Sequence, residues 1–291
     1  MQFAVSILMS GISLGGQYAL IAIGYTMVYG ILRLINFAHG DVFMVAGMML
    51  IFMVSSLPWY YAILLIVAAT VLLGFVIERA AYAPLRQAPR MSVMISAIGV
   101  SYLLQNLMTY ITAGQPQYYP KIPFLSDTVV VYGTPTQWAK LITPVMVIIL
   151  VFALTQLINH TKIGMAMRAV SKDFETSRLM GIKINSGISA TFVIGSALAA
   201  IGSVLYFTNF SVIVPTSGAL PGLRAFVAAV YGGIGSVPGA VVGAFIIGIC
   251  ESIIRGSDFA TFSDAFTFAL LIIILVVKPT GLFGEKTTEK V

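Results

Sequence analysis

Long apolar runs broken by short polar clusters make up almost the whole chain, and helical length decides how they read. A helix needs roughly 20 apolar residues to cross a bilayer. The first run covers residues 3–31 and contains Gly11, Gly15, Gly16, Gly24 and Gly30. Gly11 and Gly15 stand four apart, the small-xxx-small spacing that lets another helix backbone approach closely. Further runs lie at residues 42–54, 58–76, 91–112, 141–158, 187–207, 239–251 and 266–277. Between two of these, an apolar stretch of about eight residues follows Arg224 and ends in Y-G-G-I-G-S-V-P-G, residues 231–239. That stretch is too short to cross alone, so the pattern predicts a broken or re-entrant helix, with Gly and Pro where the backbone leaves the helix. The expected fold is therefore all-α and integral to the membrane, with eight or nine transmembrane helices in one domain over residues 1–291.

The polar interruptions carry the candidate chemistry. R-L-I-N-F-A-H-G-D, residues 33–41, places Arg33, Asn36, His39 and Asp41 between two apolar runs. It reads either as a cytoplasmic turn or as a break at membrane depth, which is tolerated only beside a cavity or within protein. His39 alone would be an ordinary interior histidine, but such polar side chains facing lipid are expensive, so the cluster raises a pathway or gating role. Residues 33–48 and 231–248 share a shape, a Gly-containing polar break followed by a small-residue span, and are expected to correspond in two structural repeats. The candidate path residues are Asn36, His39 and Asp41 from the first break and Gly232, Gly233 and Gly235 from the second. Broken helices expose backbone N–H and C=O groups that a polar solute needs once it leaves water. Gln105 and Asn106, within another run, are tolerable where they face a helix partner or the path.

Charge then orients the chain. The basic regions are 79–90, 162–183 and 278–290, and loops rich in Lys and Arg lie on the cytoplasmic side. The loop at about 160–184 carries Lys162, Arg168, Lys172, Arg178 and Lys183 against Asp173 and Glu175. Ser171 is expected to cap a short helix there, with Asp173 and Glu175 in its first turn, Arg178 in its last and Gly181 at its stop. A plain connector would be shorter, so this capped helix reads as a docking element. The segment at about 114–140 is the longest on the opposite face, with four prolines, Pro116, Pro120, Pro123 and Pro135, the first two within the motif Q-P-Q-Y-Y-P. It is either a docking surface or a spacer. Pro215 and Pro221 are expected to bound a second external turn.

Composition narrows the function classes. The chain has 291 residues, of which 59% are hydrophobic and 9% charged. Soluble domains are about a quarter charged, and the length leaves no room for a soluble catalytic domain beside the spans. The net charge of +6 comes from short loops, so it reports topology and gives no sign of nucleic-acid binding. Cys250 is the sole cysteine, which excludes an internal disulfide and a cysteine metal cluster. Gly284-Glu285-Lys286-Thr287 only echoes a phosphate-binding loop, and His39 and His160 are too far apart in sequence to be read as a metal pair. The first apolar run is too long for a cleavable signal and reads as a retained span. No enzyme, cofactor or metal signature of its own emerges.

Four motifs together resemble one family over nearly the whole chain. They are N-F-A-H-G at 36–40, G-x-A-M-R-A-V-x-x-D with L-M-G-I at 179–182, G-G-I-G-S-V-P-G at 232–239, and P-T-G-L-F-G at 279–284. The chain resembles the LivH-type permease subunits of branched-chain amino acid ABC importers. Importer permeases of this kind carry an E-A-A-x-x-x-G loop, and Glu175, Thr176, Ser177 and Gly181 match its spacing, with Thr and Ser in place of the alanines. The resemblance implies a cell inner-membrane location, two inverted halves and ATPase coupling through Ser171, Asp173, Glu175, Thr176, Ser177 and Gly181. It also implies a related LivM-like permease, two ABC ATPase subunits that bind the ATP, a periplasmic substrate-binding protein and a lipid surround. Permeases for urea, short amides and more distantly sugars share these motifs. An ion-coupled secondary transporter is the rival class; it would have to use Asp41 or Glu251, and it does not require a docking helix.

Overall fold

The computed structural model describes residues 2–86, 88–131 and 133–284. Helices dominate in the order α1 (Gln2–Leu32), α2 (His39–Val54), α3 (Trp59–Ile77), α4 (Arg90–Thr112), α5 (Trp138–His160), α6 (Lys162–Lys172), α7 (Phe174–Leu179), α8 (Ile184–Asn209), α9 (Ala219–Gly232), α10 (Val237–Arg255) and α11 (Ser263–Val277). Seven of the described helical stretches are long and apolar enough to span a bilayer, while α2 and α9 are shorter apolar helices. The fold is thus an all-α, multi-pass membrane protein. Two small antiparallel pairs interrupt it: β1 (Gln117–Tyr118) with β4 (Val212–Ile213), and the hairpin β2 (Thr128–Val131) with β3 (Thr134–Gln137).

Burial sorts the helices by what they face. α1 and α8 form the centre, with Tyr18, Ala19, Leu20, Ile21, Ala199 and Ala200 fully enclosed. α4, α5 and α11 are peripheral and turn large apolar side chains outward, among them Ile95, Ile148 and Ile272. For a membrane protein such faces meet lipid or other apolar helices, so outward apolar residues carry no solvation penalty.

The pairing of helices shows the two halves. α1 packs on α10 as α3 packs on α8, α9 packs on α1 as α2 packs on α8, and α2 meets α4 as α9 meets α11. Exchanging α1–α4 for α8–α11 therefore maps the fold onto itself. Small residues make the close contacts: a Cβ added to Gly15 would lie 2.7 Å from the Phe245 backbone of α10, and one on Gly74 would lie 2.7 Å from Ser196 Cβ of α8. The expected correspondence of 33–48 with 231–248 is corrected. The counterpart of α2 is α9, so the break at 33–38 matches the break at 210–218. The 231–239 stretch looked similar because it too is rich in glycine, but it is the bend between α9 and α10.

The halves run in opposite senses. The end of α1, the starts of α4 and α8, and α7 converge around Arg79, Arg86, Arg90, Arg178 and Lys183. By the positive-inside bias this basic face is cytoplasmic. α1 ends on it and α8 begins on it, so the start of α1 lies on the external face, a side the sequence leaves open.

Several boundaries differ from expectation. α2 begins at His39, so His39 and Asp41 are helical, and Pro221 lies within α9 and bounds no turn. Glu78, which in sequence adjoins the basic loop of Arg79, Arg86 and Arg90, starts a π turn, Glu78–Tyr82, and its side chain is 0% exposed. The stretch at 285–290, with Glu285, Lys286 and Thr287, lies outside the described residues.

Candidate translocation and coupling sites

The first turns of α2 and α9, the two short helices, meet inside the fold. A Cβ added to Gly40 would lie 2.7 Å from the Gly218 carbonyl oxygen, and one on Gly222 would lie 2.9 Å from Gly40 Cα. Only glycine permits this approach. Both helices start here without a side-chain cap; local turn carbonyls take up the His39, Asp41 and Ala219 N–H groups, at Asn36, Ala38 and Thr216. Two positive dipole ends therefore point into one region.

Asp41 supplies the opposite charge. It sits in the first turn of α2, is buried, and accepts hydrogen bonds from Ser101 Oγ and, at 3.0 Å, from Gln105 Nε2 of α4. The α2 dipole favours the carboxylate at that position. Asp41, Ser101 and Gln105 line a cavity of about 370 Å³ with Tyr25, Gly40, Gly218, Leu223 and Phe226. One wall is thus polar, and Leu223, Phe226, Ile98 and Tyr102 make the other apolar. Gln105 faces this cavity, whereas Asn106 is exposed and donates to the Tyr102 carbonyl at 2.8 Å.

The remaining predicted path residues lie elsewhere. Asn36 is buried, and its Oδ1 accepts from Ala38 N at 3.1 Å and Tyr82 Oη at 2.7 Å. It therefore ties the break after α1 to the π turn. His39 is buried against Gly24 and Gly195, with its ring edge-on to Tyr25 at 5.0 Å between centroids. Its Nε2 has no hydrogen-bond partner among the described residues. It acts as a wedge between α1 and α8. Gly232, Gly233 and Gly235 close the cytoplasmic bend: Leu282 N donates to Tyr231 O at 3.0 Å and Phe283 N to Gly232 O at 2.9 Å. Gly233 and Gly235 have φ of 111° and 102°, which an L side chain rarely adopts. The P-T-G-L-F-G tail thus locks α9 to α10, and these glycines do not reach the Asp41 cavity. Sequence reading missed Tyr25, Ser101, Gly218 and Gly222. The Gly218/Gly222 spacing of four was the available signal.

On the cytoplasmic face, the expected single helix is two. Thr161 caps α6, its Oγ1 accepting from Gly164 N at 3.1 Å. Ser171 is no cap; it lies in the last turn of α6 and donates to Arg168 O at 2.8 Å. The cap of α7 is Asp173, accepting from Glu175 N at 2.9 Å and Thr176 N at 3.2 Å. The Thr176 hydroxyl and N–H hold the Asp173 carboxyl below its usual pKa. Ser177 is buried, and its carbonyl accepts from Ile182 N at 3.0 Å across the turn at Gly181, whose φ is +77°. Glu175 faces inward with Phe174 and Arg178. Leu179 and Met180 are 87% and 77% exposed, an apolar tip on a surface that faces water.

Residues 7–275 match the family model described as branched-chain amino acid transport system / permease component. The chain belongs to that family. This permease is 39% identical to the high-affinity branched-chain amino acid transport system permease protein LivH of Escherichia coli, over 97% of this chain and 96% of the relative. It is 39% identical to BraD of Pseudomonas aeruginosa, over 98% and 97%. It is also 25% identical to the ribose import permease protein RbsC of Haemophilus influenzae, over 92% and 83%. This permease is accordingly a multi-pass inner-membrane component of a transport system.

Proposed function

We propose that this permease forms, with a related LivM-like subunit, the path of an ABC importer for leucine, isoleucine and valine. The observation that carries the reading is the meeting of the α2 and α9 N-termini beside Asp41. An amino acid in transit needs partners for a carboxylate, an ammonium and an apolar side chain. Helix N-termini suit the carboxylate, Asp41 the ammonium, and the Leu223–Phe226 wall the side chain. The match to carriers named for branched-chain amino acids supports that substrate class.

Coupling is mechanical in this reading, with ATP held by two ABC ATPase subunits that dock on α6 and α7. Leu179 and Met180 offer the exposed apolar contact, and Asp173, Glu175, Thr176, Ser177 and Gly181 hold their geometry. A periplasmic binding protein delivers substrate at the external face formed by residues 113–137 and 210–218.

The test is uptake of labelled leucine into proteoliposomes holding the full complex. ATP-dependent uptake, with a raised half-saturating concentration in Asp41→Asn, is the expected result. Uptake that follows a proton or sodium gradient without the ATPases would sink the proposal, and indifference to Asp41→Asn would remove Asp41 from the path.

A further inference from the structure

A second cavity, about 1150 Å³, lies on the cytoplasmic face between the π turn, the starts of α4 and α8, and the inner side of α7. Its lining carries Arg79, Arg86, Arg90, Arg178 and Lys183 against one acid, Glu175. Arg86 is committed to Glu78 and Asn185, and Arg79 lies 3.8 Å from Glu78. Arg90, Arg178 and Lys183 make no ion pair among the described residues. Three cations thus converge on a space whose floor is apolar, with Leu34, Val93 and Ile188 in it.

Position and chemistry identify the occupant. The cavity sits at the ends of membrane helices, and α4, whose Arg90 and Val93 line it, carries the outward-facing Met91 and Ile95, 65% and 64% exposed, near the same end. Several N–H donors around a phosphate make strong charge-assisted hydrogen bonds, and the cytoplasmic leaflet supplies anionic headgroups. The exposed tip of α7, Leu179 and Met180, is not among the residues that line the cavity.

We propose that this cavity seats the phosphate headgroup of an anionic phospholipid through Arg90, Arg178 and Lys183, with its acyl chains along α4. The lipid would bridge α4 to α7 and so link membrane composition to the coupling helix. The site is independent of the substrate reading given above.

Native mass spectrometry of the full chain, extracted from an equimolar mixture of phosphatidylglycerol and phosphatidylcholine, tests it. Wild type is expected to retain phosphatidylglycerol and release phosphatidylcholine. The double variant Arg90→Gln/Lys183→Gln should retain about tenfold less or lower still, from the loss of two cations. Arg90→Lys/Lys183→Arg, which keeps both charges, should restore retention and so separate charge from misfolding. Lys162→Gln/Lys172→Gln, on the same face outside the cavity, should behave as wild type. Equal retention of both lipids, or undiminished retention in the Gln variant, overturns the proposal. Displacement by millimolar inorganic phosphate would make this a free-anion site instead. Displacement by the ATPase subunits would assign it to a protein acid, and either result rejects a lipid.

Discussion

Glu78, at the end of α3, and Glu251, near the end of α10, hold matched places at opposite faces of the fold, and both side chains are 0% exposed. Glu78 accepts from Arg86 and, at 2.8 Å, from Ser189 of α8. Glu251 pairs with Arg224 at 3.0 Å and Arg255 at 2.6 Å, and accepts from Tyr18 of α1 at 2.9 Å. Each carboxylate therefore ties the third helix of its own half to the central helix of the other. Arg224 also reaches Asp264, which brings α11 into the external cluster.

Removing one partner leaves the other charge buried and unpaired. Glu251→Ala is expected to destabilise the protein by about 3–5 kcal/mol, the usual cost of breaking a buried ion pair. A melting temperature in detergent equal to wild type would show that the cluster holds nothing together. Glu78→Ala should act similarly from the other face, through Arg86.

Gly40 has no room for a methyl group against Gly218. Gly40→Ala should force α2 and α9 apart and cost about 1–3 kcal/mol through overpacking. Leucine uptake falls with it because the cavity beside Asp41 changes shape. Gly99→Ala is the control, since nothing lies within 4 Å of a Cβ there. Similar uptake from both variants would contradict the proposed meeting of the two helix ends.

Gly181 holds a left-handed turn, and left-handed backbone costs an ordinary L residue about 1–2 kcal/mol. Gly181→Val should weaken co-purification with the ATPase subunits, while Gly181→Asn should largely spare it. Asp173→Ala should have the Val effect through loss of the α7 cap. The folded-state pKa of Asp173 is lowered, so its contribution is full above the unfolded value and is lost as pH falls through the lowered one. Co-purification unchanged in Gly181→Val and Asp173→Ala would detach α7 from docking.

Tyr118 and Tyr119 are neighbours with opposite surroundings, 80% and 7% exposed. Burial pushes the Tyr119 phenol up in pKa, consistent with a packing role beside Phe207. A photocrosslinker at 118 should capture the periplasmic binding protein, and one at 119 should not. Without adducts from 118 or from Val130, itself exposed at 71%, the segment is only a spacer.

Run length, glycine spacing and the distribution of Lys and Arg determined much by sequence alone: an all-α membrane chain, its long spans, a basic cytoplasmic face and the turn at Gly181. These are local properties, because hydropathy and left-handed backbone act within a few residues of chain. Which break meets which was not local. Asn36, His39 and Asp41 are near neighbours in sequence, yet one pins a turn, one wedges two helices and one lines a cavity. Helix phase and the partners at Tyr82, Gly24 and Ser101 make that division, and those partners are dispersed along the chain. Likewise Glu78 reads as a loop charge until α8 covers it with Ser189, and Ser171 reads as a cap until Asp173 takes the helix start. Only tertiary packing brings the first turns of α2 and α9 together, because glycine in both allows a contact that neither segment specifies alone.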